Sequence, residues 1–204
     1  YTPASRTLAG SAAAMETMIL NAADMANVSY ANSTIPLTLT VAHMAEVDYV
    51  EDYSLALALA KMTFDNDGVM DEVHDLRDTH EADMVSLIAS GGDVAGIGWI
   101  LTALDAAMAQ RAFSITTYYS LGSLTFPHEL GHNMGCDHDQ ENITAEGYRL
   151  YSYARGWRFY AAEDGKLKRT VMSYAPGTRI PYFSNPDISY MGTPTGVPVG
   201  DPDE

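Results

Sequence analysis

At 204 residues the chain has room for one domain with a sizeable core, and its 47% apolar content suits a globule. Eleven basic against 27 acidic residues leave a formal charge of −16, which argues against nucleic acid or an anionic membrane as partner. No run approaches the roughly 18 uncharged apolar residues of a membrane span, and the single cysteine, Cys136, excludes an internal disulfide and with it a stapled small secreted domain.

Along the chain, residues 11 to 27 carry Met15, Met18, Ile19, Ala22 and Ala26 at helical spacing behind Ser11, a capping residue, so an amphipathic helix with a core-facing stripe is expected. Leu37, Leu39 and Val41 alternate with Thr38 and Thr40 and predict a half-buried strand. Residues 53 to 62 and 69 to 79 read as two further helices, the second starting after "DNDG". Asp65, Asp67 and Asp71 in that stretch offer hard oxygen ligands and keep Ca²⁺ as a candidate ion, but the register of a twelve-residue calcium loop is missing and a helix-capping turn is the preferred reading. "DMVSLIAS", residues 83 to 90, is a continuous apolar run of the kind a buried strand shows. "GIGWI", residues 96 to 100, has two glycines that open the backbone to close approach. Phe113, Ile115, Thr117 and Tyr119 alternate with Ser114, Thr116 and Tyr118 as another strand. Later, "RGWRFY" and "KLKRTVM" flank "AAEDG" as a hairpin turning at Asp164 and Gly165, and the stretch from Pro176 to Glu204 reads as irregular structure. No internal repeat or flexible linker stands out. The chain divides into a larger α/β part up to about residue 134 and a smaller, irregular part over about 135–204.

Between them lies "FPHELGHNMGCDHDQ", residues 126 to 140, which holds three of the six histidines. Ser123 or Thr125 can cap a helix there, and Pro127 is tolerated in its first turn. On that helix His128 and His132 project from one face a turn apart, close enough to share a metal. Gly135 is where the helix stops, because glycine enters the left-handed region at little cost, and the chain can then return to deliver His138. Three neutral imidazoles leave a fourth tetrahedral position for water, the arrangement of a catalytic zinc, and Glu129 is placed to take that water's proton. Cys136 reads as a small buried filler rather than a ligand, and Asp139 as a structural hydrogen-bonding group.

The string "HELGHNMGCDH" resembles the zinc signature of the metzincin endopeptidases, and "TVMSY" further on is similar to their methionine turn, with Met172 beneath the metal. The wording of the zinc string and the preceding "DEVHDLRDTHEADMVSLI" look like the adamalysin or reprolysin branch. "HNMGCDHD" with "RIPYFSNPD" looks most like bacterial reprolysin-like and peptidyl-Asp metallopeptidases. The resemblance implies a single catalytic domain over 1–204 of α/β (α+β) class: a twisted, mixed, five-stranded sheet with helices in an upper lobe, the zinc helix at the cleft floor, and a small irregular lower lobe. It implies a secreted bacterial Zn²⁺ endopeptidase cutting protein or peptide substrates, acting as a monomer, with an inhibitory pro-segment removed ahead of Tyr1. His128, His132 and His138 would bind zinc and Glu129 would be the general base. Gly96, Ile97 and Gly98 would form the edge on which substrate lies, and residues 175 to 183 would wall the pocket after the cut bond.

Two departures stand out. Venom-type disulfides are missing, and Tyr174, two residues past Met172, resembles instead the astacin and serralysin turn, where a tyrosine can reach the metal or the developing oxyanion; a packed core tyrosine is the rival reading. Arg179 falls in the pocket segment, either as a selector of acidic side chains or as a structural arginine tied to the Asp-rich tail. Two rival functions stay open: a catalytically silent, metal-stabilised binding module on the same scaffold, and a zinc hydrolase with a non-protein substrate.

Overall fold

The structure, a computed structural model, describes residues 1–144 and 150–201. The last three residues of the expected irregular tail, and residues 145–149, therefore lie outside the described residues.

The first helices begin where side-chain oxygens take up free backbone N–H groups. Helix α1, Pro3–Ala9, starts on Thr2, whose hydroxyl accepts the Ser5 N–H, and ends on Gly10 at φ +88°. Helix α2, Ala12–Asn32, starts on Ser11 as expected but runs five residues past the expected end, because Tyr30 continues the buried stripe of Met15, Ala22 and Ala26. Helix α3 spans Leu55–Thr63 and α4 spans Glu72–Thr79. In the turn before α4, Asp71 accepts from the N–H groups of Asp67 and Gly68, and Asp67 from that of Val69, so those carboxylates close the turn on itself.

Strands β1 (Val85–Ala89), β2 (Gly96–Gly98) and β3 (Phe113–Thr117) form a mixed sheet in the order β1-β3-β2, with β1 parallel and β2 antiparallel to β3. Among the described residues this sheet has three strands, not five. The expected half-buried strand at Leu37, Leu39 and Val41 joins no ladder among the described residues, and Leu37 is exposed. The Asn27 side chain takes both backbone groups of Leu39, at 2.7 and 2.9 Å, where a strand partner would otherwise sit. The third strand also ends earlier than the alternation suggested: Tyr118–Leu121 is a turn of helix, α5, and leaves Tyr119 exposed.

Alternation along β1 sends Leu87 to one face and Ile88 to the other. Leu87 packs with Leu55, Leu59, Met62, Val73 and Phe113 under α3 and α4, whereas Ile88 packs with Met15, Leu121, Phe126 and Leu130. The sheet is thus covered on both sides, which explains why its first strand reads as an unbroken apolar run. Beyond helix α6 (Thr125–Asn133) come short strands: β4 (Arg158–Tyr160) pairs antiparallel with β5 (Leu167–Arg169), and β6 (Thr178–Arg179) pairs parallel with β5. The β4–β5 turn falls where expected, with Gly165 at φ +64° and the Asp164 carboxylate accepting the Lys166 N–H. A last hairpin pairs β7 (Ser189–Tyr190) with β8 (Thr193–Pro194).

Candidate metal centre and active site

Helix α6 begins one residue away from either expected cap: Leu124 holds the cap position, and the Ser123 hydroxyl accepts the Thr125 N–H beside it. Its end follows the glycine logic. Gly135 takes φ +92° and donates to His132 C=O at 2.9 Å, while Cys136 N–H donates to Gly131 C=O at 2.9 Å. This paired closure satisfies two otherwise free carbonyls and reverses the chain. The reversal brings His138 back to the helix, and the Nε2 atoms of His132 and His138 lie 3.1 Å apart.

All three histidines have a ligating nitrogen within 4.8 Å of the others. Each turns its Nδ1 toward a main-chain carbonyl: His128 to Val171 at 2.9 Å, His132 to Cys136 at 2.8 Å and His138 to Asn142 at 3.1 Å. A carbonyl oxygen only accepts, so each proton belongs on Nδ1 and each Nε2 is a bare lone pair. Two bare nitrogens 3.1 Å apart repel unless a cation lies between them. Burial, then the neighbouring imidazoles, hold His128 well below the usual histidine range; burial and His138 bring His132 down to about 4. Neutral imidazoles fixed in this tautomer fit a zinc ion, whose tetrahedral site with bonds of about 2.0–2.1 Å asks for nitrogens about 3.4 Å apart. Cys136 is absent from the group. Burial pushes its thiol up to about 11, and it serves through its carbonyl.

Glu129 follows His128 on the helix and is 4% exposed. Burial lifts its carboxyl to about 8, with the Arg179 charge acting in the opposite sense. The predicted edge glycines pack here: a Cβ on Gly96 would lie 2.6 Å from Glu129 Oε1, and one on Gly98 would lie 2.8 Å from the Glu129 carbonyl. The two glycines therefore let the zinc helix press against β2, and the expected substrate edge is also the surface on which Glu129 rests. Ile97, between them, packs into the core under α3.

Met172 is buried against Ala26, Tyr30, Leu124 and Phe183. A Cβ on Gly131 would come within 2.5 Å of its sulfur, so only glycine at the fourth position of the histidine string leaves room for this methionine. Tyr174 lays its ring 4.2 Å from that of His138 and 5.9 Å from that of His128, centroid to centroid, and is 43% exposed. Its main-chain N–H donates to Asp139 at 2.8 Å, and Arg158 and Asn142 hold the same carboxylate at 2.6 and 2.8 Å. Asp139 thus ties the segment after His138 to the segment after Met172. The Arg179 charge is felt at His128, Glu129 and His138. Burial, then the like charge of Arg169, lowers its guanidinium to about 10. Its Nε is buried without a partner, its Nη2 reaches only Ser173 C=O at 3.5 Å, and among the described residues no carboxylate pairs with it.

Several supporting residues escaped the sequence reading. Asn133 donates to both Trp99 C=O and Phe113 C=O, fastening α6 to the sheet. Asp137, fully buried, accepts from His138 N–H at 2.8 Å and from the Thr144 hydroxyl at 2.9 Å. A polar residue amid apolar helix positions was the available signal for Asn133; for the carbonyls of Val171 and Asn142 no sequence signal exists.

Comparison with known proteins agrees with this geometry. Residues 4–184 match the model of metallo-peptidase family M12. A peptidyl-Asp metalloendopeptidase of Xanthomonas campestris pv. campestris is 30% identical over 185 residues, covering 89% of this chain and 42% of that protein. One from Stenotrophomonas maltophilia strain K279a is 34% identical over 189 residues, covering 89% and 43%. The chain therefore spans less than half the length of these relatives. Among solved structures, a chain described as part of a chaperone–substrate complex superposes with a TM-score of 0.68 at 19% identity, over 96% of this chain and 30% of that one.

Proposed function

The chain belongs to metallo-peptidase family M12, and from that premise we propose that it is a secreted zinc endopeptidase that prefers an acidic residue after the bond it cuts. The observation that carries the reading is the convergence of three Nε2 lone pairs, each fixed by a carbonyl, with a buried carboxylate on the same helix. Zinc held by His128, His132 and His138 would polarise the substrate carbonyl and acidify water. Kept ionised by the neighbouring cation's charge, which opposes the effect of burial, Glu129 would take a proton from the attacking water as its oxygen adds to the carbonyl carbon. As the C–N bond breaks, Glu129 would return that proton to the leaving amine, giving a free acid and a free amine. Burial, then the nearby Glu129, raises the Tyr174 phenol above its ordinary value, so it stays protonated and can donate to the developing oxyanion beside His128 and His138. Met172 would support the histidine cluster from below through its contact with Gly131.

The acidic preference rests on Arg179. A half-buried arginine with an unpartnered Nε and a weakly held Nη2 has two donors left for a bidentate bond to a carboxylate. The net charge of −16 opposes acidic substrates at long range, but that field is screened within about 8–10 Å at ordinary salt, whereas a contact inside the pocket is not. The name of the Xanthomonas and Stenotrophomonas relatives points the same way. The test is a digest of a proteome-derived peptide mixture by the parent chain and by Arg179→Met, read by mass spectrometry. Enrichment of Asp and Glu after the cut should vanish in the variant while cleavage elsewhere persists. Unchanged enrichment would place the selector at another residue.

A further inference from the structure

Behind the zinc helix the sheet holds a polar group that nothing so far uses. Thr116 lies in β3, the middle strand, and is fully buried. Its Oγ1 has no hydrogen-bond partner among the described residues. A buried hydroxyl without a partner is costly, and valine would fill the same space without that cost.

The register settles what lies opposite this hydroxyl. Thr116 pairs with Ile88 of β1 on one side and with Gly96 of β2 on the other. Ile88 packs with Phe126 and Leu130 of α6, so this face of the sheet looks at the zinc helix. Thr117 N–H donates to Ala95 C=O and Trp99 N–H to Phe113 C=O, which makes Gly96–Thr116 one of the close, non-hydrogen-bonded pairs of the ladder. In such a pair the Cβ atoms share a face and stand about 4.5–5.5 Å apart. A Cβ on Gly96 would lie 2.6 Å from Glu129 Oε1. The bare Gly96 therefore leaves a gap that the Glu129 carboxylate enters from α6 and the Thr116 hydroxyl borders from β3. Rival partners are already engaged. The main-chain groups of β3 serve its two neighbouring strands, and Ser114, the next hydroxyl on this face, donates to Ser86 at 3.2 Å. On the helix, Thr125 shares its hydroxyl with Ser123, and His128 turns Nδ1 to Val171 C=O.

We propose that Thr116 is a positioning residue for Glu129: its hydroxyl donates to Oε1, the carboxylate oxygen in the Gly96 gap, and leaves the other oxygen to receive the proton of the attacking water. A turn of the flexible Glu129 side chain closes the remaining distance. Ionised, or protonated on its outer oxygen, the carboxyl group still accepts at Oε1. One bond thus holds it both when the proton is taken and when it is returned, and the Thr116 proton never leaves its own oxygen. The kinetic consequence rests on the peptidase reading above, whereas the contact itself does not.

The test uses zinc-loaded protein and two single variants: Thr116→Val keeps the shape and removes the donor, and Thr116→Ser keeps the donor. On a fluorogenic peptide Thr116→Val should lower kcat about 10-fold or more, with KM and zinc content unchanged, and Thr116→Ser should restore most of the loss. Full kcat in Thr116→Val, or an equal loss in both variants, would overturn the proposal, since valine packs as well as threonine. Melting temperatures read the contact without turnover. Thr116→Val should lower Tm by about 2–4 °C in the parent and raise it in a Glu129→Leu background, where the hydroxyl has no acceptor. The same shift in both backgrounds would overturn the contact. A parent that binds zinc and cuts no peptide, with the Tm shifts as expected, would sink the peptidase reading and leave the contact standing.

Discussion

Replacing Gly96 by alanine isolates the contact that sets the position of Glu129. The new Cβ would stand 2.6 Å from Glu129 Oε1, 2.8 Å from Cγ and 2.9 Å from Cδ. Ordinary contact begins near 3.4 Å, so the carboxylate end must withdraw by about 0.8 Å. The carboxylate is the far end of a flexible side chain and β2 is a three-residue edge strand, so the change in stability should stay near 1 kcal/mol. Catalysis is less forgiving, since a misplacement of about 1 Å costs about a hundredfold. Gly96→Ala should therefore lower kcat about 10- to 100-fold on a fluorogenic peptide, with KM nearly unchanged and one zinc still bound per chain. Gly98→Ala provides the contrast: its Cβ would meet the Glu129 main-chain oxygen at 2.8 Å, and a helix backbone does not step aside, so here stability should fall by about 2–3 kcal/mol. Full kcat in Gly96→Ala would refute the claim that β2 positions the carboxylate.

Other consequences follow from the same contacts. Gly131→Ala should cost about 1–3 kcal/mol despite alanine's better helix propensity, because its Cβ would press on the Met172 sulfur at 2.5 Å; in a double-mutant cycle Met172→Ala should recover at least about 1 kcal/mol of that loss, and simple additivity would deny the contact. Asp139→Asn leaves the Arg158 guanidinium without its most buried partner and should lower stability by about 3 kcal/mol, seen as a Tm drop of about 6–12 °C; a shift under 2 °C would show that Asp139 does not hold the two segments together. The Tyr1 ammonium titrates near 6 when folded against 8.0 ordinarily, so the unfolded chain binds more protons between those values and stability should fall, by up to about 2–3 kcal/mol, as pH drops from 8 to 6. Acetylating that amine should abolish this part of the slope in denaturant titrations, and an identical slope after acetylation would contradict its burial.

The histidine cluster was legible in the sequence because every part of it is local. His128 and His132 share a helix face, Gly135 ends that helix, and His138 follows within the same short run, so spacing alone predicts convergence. What holds the imidazoles was not legible, because a carbonyl carries no signature in sequence: Val171 C=O, 43 residues away, fixes His128 as firmly as any side chain would. Glycines were half legible. The "GIG" run announced a close approach, but the partner that approaches is Glu129, on another element. Alternation at Leu37, Leu39 and Val41 predicted a half-buried strand, but alternation carries no information about hydrogen-bonded pairing: Leu37 is exposed, and Asn27 intercepts Leu39 instead. The extra length of α2 was missed even though Tyr30 continues the four-residue spacing of Ala22 and Ala26, and its stacking on Phe183 shows that the stripe runs on.

Peptide hydrolysis at this site would use Glu129 as the proton carrier. The most direct measurement is cleavage of a peptide mixture by the parent chain, by Glu129→Gln and by a chelator-treated sample, with zinc content determined on the same preparations. One zinc per chain is expected in both the parent and Glu129→Gln, with cleavage by the parent and a loss of at least about a thousandfold in the variant and after chelation. Zinc bound at one per chain with no cleavage by the parent, or cleavage undiminished in Glu129→Gln, would contradict it.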